Sequence, residues 1–221
     1  MVTKVLIACC DNEIKMRVKK SFSSVMGENK VTVCSNLLQI HRLIQFKNDI
    51  AIVFDKYYLG YVISYELTRL KFLNPRLLTY FVEMGDCSHY FGLRINQLGV
   101  DGLISNIEDE ASFKNAIAKI QSGMKVYPES ITKSIESGDF LLDKQNYSEV
   151  TEGEMKVGLY TWDGLTQKEI SFKTGLSRQT VSTYIYRLRR KIGYSKPKDL
   201  DLLTKRYFEN HTEEDTDDNK D

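Results

Sequence analysis

The sequence is short of most features that announce a specialised chain. Three prolines in 221 residues leave no proline-rich or collagen-like segment, and the overall composition is that of an ordinary globular protein. No uninterrupted apolar stretch approaches the ~18 residues that a membrane-spanning helix needs. The opening "MVTKVLIACCDNE" turns acidic too early for a secretory signal, so a cytoplasmic protein with no membrane partner is expected. Four cysteines, Cys9, Cys10, Cys34 and Cys87, have neither the density nor the spacing of a disulfide framework or a zinc site. The adjacent pair reads either as a redox element or as two buried thiols at the end of a strand. Three histidines, His41, His89 and His211, stand in no metal or nucleophile spacing, and no glycine-rich phosphate loop occurs. An enzyme would have little to work with, so no catalytic residue, metal or cofactor is expected.

What the chain has is alternation. Its length suits one or two domains of roughly 100 to 200 residues. From residue 2 to about 122 the runs "KVLIA", "KVTVC", "IAIVF", "RLLTYFV" and "DGLIS" read as strands with helix-period segments between them. In the first of those segments Ile14, Val18, Phe22 and Val25 recur at helical spacing and predict one apolar face. Five strands each followed by a helix imply an α/β unit, a five-stranded parallel doubly wound sheet of the flavodoxin-like kind. In such a sheet reactive groups gather at the carboxyl ends of the strands. Asp55 sits at such an end, as do Cys9, Cys10 and Asp11 after the first strand, Glu83 after the fourth and Asn106 after the fifth. Asp55 is either a reactive carboxylate or the polar residue that ends a buried strand, paired with Lys56.

Residues 123–149 break the alternation with glycine, proline and serine and read as a linker, with room for a helical turn or two in "SITKSIESGDFLL". Residues 150–210 contain no strand candidate and read as an all-α unit of four short helices. "TEGE" at 151–154 and "TQKE" at 166–169 fit the capping box, in which a threonine caps the first turn and a glutamate three residues on reaches back. Gly175 can close the second helix within about two turns, and Ser177 offers an N-cap for a third, "RQTVSTYIYRLRRKIG". A short helix, a tight turn and a longer helix make a helix-turn-helix.

Spacing sorts the third helix into two faces. Val181, Ile185, Leu188 and Ile192 form one buried stripe, with Ile170 and Leu176 as partners. Gln179, Thr183, Tyr186 and Arg190 lie opposite, with Ser182 and Arg189 on one flank and Arg187 on the other. Hydroxyl and amide groups suit base edges, while Arg187, Arg189, Arg190 and Lys191 suit phosphates. The charge distribution agrees: residues 150–210 carry about +5 and residues 211–221 about −5. That final stretch, "HTEEDTDDNKD", has no apolar residue to pack. It reads as an acidic disordered tail that solubilises the chain or screens the basic helix.

Residues 150–200 resemble the DNA-binding domain of the NarL/FixJ (LuxR-type) response regulators. The likeness runs through Thr151 and Glu154, Gly164, "LTQKEI" at 165–170, "GLSRQTV" at 175–181 and "LRRKIG" at 188–193. Two positions depart: Tyr184 stands where the family often has histidine, and Gly153 where it usually has arginine. The resemblance implies double-stranded DNA as partner and base contacts from Ser182, Thr183 and Tyr186. Thr166, Arg178, Gln179, Thr180, Arg187, Arg190 and Lys191 complete the implied DNA-binding surface. The segment "KDLDLLTKRYF" resembles the helix through which such domains dimerise, and packing within its own domain is the alternative.

Residues 1–122 resemble, less specifically, the receiver domain that this family joins to its DNA-binding domain, and Asp55 falls at the phosphoacceptor position. Phosphoryl transfer to a carboxylate is mostly positioning and charge neutralisation by a magnesium ion and a lysine. Cys9 and Cys10 stand where two acidic residues are expected, Glu83 where a hydroxyl is expected, and Asn106 where a lysine is expected. Thiols are poor magnesium ligands; a register shift of one residue would offer Asp11 instead, with Glu13 nearby. The expectation is therefore a pseudo-receiver on a DNA-binding transcriptional regulator. Control would come through homodimerisation or pairing with another response regulator, without conventional aspartyl phosphorylation. The competing expectations are an accessory regulator that heterodimerises with a conventional response regulator, and a conventional switch using Asp55.

Overall fold

The computed structural model describes residues 1–45, 49–60, 63–87, 89–138, 150–162 and 164–192. The expected dimerisation helix and the acidic tail lie outside the described residues. Five strands, β1 (Lys4–Ala8), β2 (Val31–Val33), β3 (Ile50–Asp55), β4 (Leu78–Val82) and β5 (Gly102–Ile104), form one parallel sheet in the order β2-β1-β3-β4-β5. Side chains alternate across a strand, and both faces are covered. Leu6, Ala8, Ile52 and Phe54 enter one core with residues of α2 (Leu37–Ile44), α3 (Ile63–Leu73) and α4 (His89–Gln97). Val5, Ile7, Ala51 and Val53 enter the other, with α1 (Asn12–Met26) and α5 (Glu110–Gln121). Every residue of β3 is buried, as befits the central strand of a sheet with helices on both sides.

Two expectations shift. In α1 the buried residues are Ile14, Val18, Phe22 and Met26, while Val25 is 38% exposed. A stripe stepping by four residues drifts by about 40° per step, so by the last turn the buried direction has moved to Met26. The linker expected over 123–149 is also partly built into the sheet domain. Val126 bridges Gly102 of β5, with the Leu103 N–H donating to its carbonyl at 2.7 Å. The Tyr127 hydroxyl donates to the Val100 carbonyl at 2.7 Å. A helix α6 (Glu129–Ser137) then buries Ile131 fully in the first core. Two glycines make the docking possible, since a Cβ on Gly92 would run into the Ile131 side chain and one on Gly102 into the Val126 carbonyl.

The C-terminal part folds as α7 (Glu152–Trp162), α8 (Gln167–Thr174) and α9 (Arg178–Ile192). Its core is Val157, Ile170, Val181 and Ile185, with Tyr160, Leu165, Leu176 and Tyr184 packed around them. Among the described residues no helix is long and apolar enough to cross a membrane.

Candidate functional site

The strand ends converge as the topology requires, and Asp55 is their centre. It is 1% exposed. One carboxylate oxygen accepts the Asp11 N–H at 2.8 Å, and the other accepts the N–H groups of Tyr57 at 3.1 Å and Tyr58 at 2.9 Å. The carboxylate thus ties the loop after β1 to the loop after β3. Burial pushes its carboxyl up to about 6, against the opposing pull of backbone amides at Asp11, Cys10, Tyr57 and Tyr58. The expected pairing with Lys56 is not made; the Lys56 ammonium lies 4.9 Å from the centre of the Tyr57 ring, a cation–π contact.

The surrounding residues are committed to other tasks. Asp11 is the N-cap of α1, accepting the N–H groups of Glu13 at 2.8 Å and Ile14 at 3.0 Å. Asn106 takes a left-handed backbone conformation, φ 53°, which asparagine tolerates better than most residues. Its side-chain amide donates to Asp86 at 2.9 Å, so it faces the loop after β4 rather than delivering a cation to Asp55. The Glu83 N–H donates to the Ile104 carbonyl at 2.9 Å. Burial, then the Asp55 carboxylate, push the Cys9 thiol well up, and burial followed by Glu83 pushes Cys87 up to about 11. Thiols held protonated in this way are poor nucleophiles, which favours packing over redox chemistry for Cys9. These residues do not fit a magnesium site: the oxygen donors are too few and Asp11 is capping a helix. Among the described residues, no group of three His, Cys, Asp or Glu side chains is placed to hold a metal ion.

The C-terminal surface is built by caps and a turn. Thr151 and Glu154 bond reciprocally, the Thr151 N–H donating to Glu154 Oε2 at 2.9 Å and the Glu154 N–H to Thr151 Oγ1 at 3.3 Å. Thr166 and Glu169 do the same at the start of α8. Gly175, φ 71°, closes α8 in the left-handed region, where the absence of a Cβ removes the steric cost. Ser177 caps α9 by accepting the Thr180 N–H at 3.0 Å, and its hydroxyl lies 2.8 Å from that of Thr180. On α9, Val181 and Leu188 are fully buried and Ile185 nearly so. Arg178, Gln179, Ser182, Tyr186, Arg187 and Arg189 are exposed, and Thr183 and Arg190 partly so.

The structure divides the expected DNA-binding set. Gln179, Ser182, Thr183, Tyr186, Arg187 and Arg190 share one accessible face with Arg178 at its start. Thr166 and Thr180 are exposed or half-buried but have hydroxyls engaged in caps. Lys191 does not belong to that surface. Its ammonium donates to Glu154 Oε2 at 2.7 Å with both side chains buried. Burial raises the Glu154 carboxyl, but the bonds from Lys191 and Thr151 outweigh it and hold the group below its ordinary range. The reason lies in helix geometry: Lys191 is three residues from Leu188 and falls on the buried flank. The pairing spans 37 residues, so no local spacing announces it.

The two family departures meet in space. A Cβ on Gly153 would stand 3.0 Å from the Tyr184 ring, so the glycine leaves the room that the tyrosine fills. A further surface feature is Phe172 on α8, 91% exposed; nothing in the hydrophobic periodicity pointed to it.

Comparison with known proteins agrees with this geometry. Residues 148–200 match the family described as bacterial regulatory proteins, luxR family. The DNA-binding transcriptional activator EvgA of Escherichia coli K12 is 28% identical over 118 residues, 53% of this chain and 57% of that protein. The Fimbriae Z protein of the same strain is 27% identical over 127 residues, 58% of this chain and 60% of that protein. The chain thus spans little more than half the length of the curated relatives it matches. The two-component response regulator RcsB in complex with DNA shares the fold at TM-score 0.53 and 19% identity, covering 92% of this chain and 98% of that one. A structure of two RcsB dimers on two parallel DNAs superposes at TM-score 0.52 and 18% identity, covering 96% and 100%. Residues 148–200 thus match the luxR family of bacterial regulatory proteins, the chain is similar to EvgA and the Fimbriae Z protein over little more than half its length, and its fold is that of the RcsB structures.

Proposed function

We propose that this protein is a DNA-binding transcriptional regulator whose receiver-like domain is not switched by conventional phosphorylation of Asp55. The observation that carries the DNA-binding half is the accessible face of α9. It sets an uncharged polar centre between Arg178 and the cluster Arg187, Arg189 and Arg190. Such a helix can enter a major groove while its ends neutralise phosphates. The observation that carries the other half is Asp55 itself. Its oxygens are engaged by backbone amides, and a phosphoryl group would have to displace those bonds without magnesium ligands or a lysine to receive it.

Control comes instead from pairing, with a second copy or with another response regulator, and the working units are residues 1–122, extended through α6, and residues 150–210. Mobility shifts with the purified full chain at several salt concentrations test the first half. Specific binding should weaken steeply as salt rises; binding that appears only after a conventional response regulator is added would favour the accessory reading. Acetyl phosphate with magnesium, followed by intact mass, tests the second half, and a phosphoryl adduct on Asp55 would restore the conventional switch.

A further inference from the structure

We propose that α9 selects A·T base pairs through the methyl groups of thymine, with Thr183 and Tyr186 as the contacting residues. This rests on the DNA-binding reading and specifies what that face recognises. At 100° per residue, Gln179, Thr183, Tyr186 and Arg190 fall within roughly 60° of one another, opposite the buried Val181 and Leu188. They form the centre line of the accessible face.

The chemistry along that line is unusual for a reader of G·C pairs. Guanine is read by bidentate arginine or lysine, and cytosine by an acidic acceptor. Residues 179 to 186 contain no charged side chain at all. Arg190, the one cation on the line, is associated with Tyr186: Nη1 lies 3.5 Å from the phenol oxygen and the guanidinium 5.6 Å from the ring centre. The Thr183 hydroxyl donates to the Gln179 carbonyl one turn back, at 2.9 Å. With that proton used inside the helix, Thr183 offers a groove its methyl group. Tyr186, 57% exposed, offers an aromatic face. The apolar group that a major groove displays is the thymine C5 methyl, and the exposed Gln179 can bond adenine through N6 and N7.

The test is selection of duplexes from a random pool by the full chain at fixed salt, followed by resynthesis of the winning site with deoxyuridine in place of thymidine. The selected core should be rich in A·T pairs, and the uracil duplex should bind about 4-fold more weakly for each contacted methyl removed. Thr183→Val, which keeps a methyl, should retain that penalty, and Thr183→Ser should lose part of it. A G·C core, or a uracil duplex bound as tightly as the original, overturns the proposal while leaving DNA binding intact. Enrichment of no sequence, by the chain alone or with a conventional response regulator added, overturns the DNA-binding reading itself.

Discussion

Asp55 and Glu154 are both buried carboxylates that accept backbone N–H groups, three at Asp55 and one at Glu154, yet their chemistry runs in opposite directions. Asp55 is 1% exposed and is held by amides; burial drives its carboxyl up to about 6. Glu154 is 2% exposed, holds the Thr151 amide and also receives the Lys191 ammonium, and its carboxyl stays below the usual range. At Asp55 burial outweighs the backbone amides, whereas at Glu154 the Lys191 ammonium, with the amide and hydroxyl of Thr151, outweighs burial. On the reading proposed above, the N-terminal domain keeps a buried carboxylate at the strand end without a bonded cation among the described residues to accompany it. The C-terminal domain invests a lysine in its own architecture instead of its surface.

The largest expected effect comes from making Glu154 resemble Asp55. Lys191→Met should destabilise the C-terminal domain by about 3–5 kcal/mol, the cost of leaving one member of a buried pair alone. Urea unfolding followed by the fluorescence of Trp162, the only tryptophan in the chain, measures it. Adding Glu154→Gln to that variant should recover part of the loss.

Next is the response to pH, which should differ in sign between the two domains. Asp55 keeps its proton in the folded state up to about 6, against a reference of 3.8. The folded state therefore binds more protons between those values, and stability falls as pH rises through them, by about 3 kcal/mol. Asp55→Asn should flatten that slope. Glu154 has a lowered folded value, so its contribution is present above the unfolded pKa, 4.5 for a reference glutamate, and is lost as pH falls through the folded one. Hydrogen exchange of the two domains at pH 3, 4, 5, 6 and 7 resolves the opposite trends, the N-terminal one between about 4 and 6 and the C-terminal one below 4.5; parallel trends would contradict the assignment of charges.

Smaller effects sharpen the comparison. Gly153→Arg should cost about 1–3 kcal/mol, the usual scale for overpacking, because Tyr184 occupies the space. Tyr184→His in the same chain should restore much of it, as read by the Trp162 transition. Asn106→Lys should cost about 1 kcal/mol through its left-handed backbone while bringing a cation towards Asp55. The carboxyl carbon shift of Asp55 should then titrate lower, and acetyl phosphate should still leave no adduct because Cys9 and Cys10 remain.

Much of this was legible in the chain. The five strands follow from short β-branched runs between helix-period segments, and the helix-turn-helix follows from two capping boxes, Gly175 and Ser177, all local signals. Beyond the local shift from Val25 to Met26 in α1 and the missing pairing of Lys56 with Asp55, the departures from expectation are those where distance along the chain hides proximity. Ile131 reaches a pocket made by Gly92, about 40 residues earlier, so a serine-rich stretch that reads as linker becomes a packed helix. Lys191 reads as one more cation in a basic run, until Glu154 takes it inward.

The sequence by itself determined the order of strands and helices, the address of Asp55 and the chemical character of α9, because periodicity, caps and residue type act over a few residues. Only the tertiary structure decided that Asp55 is held by amides, that Asn106 turns to Asp86, that Lys191 is buried on Glu154, and that Gly153 and Tyr184 fill one space. Each of those outcomes depends on which groups meet after folding and on how much water is left between them, and neither quantity is written in local spacing.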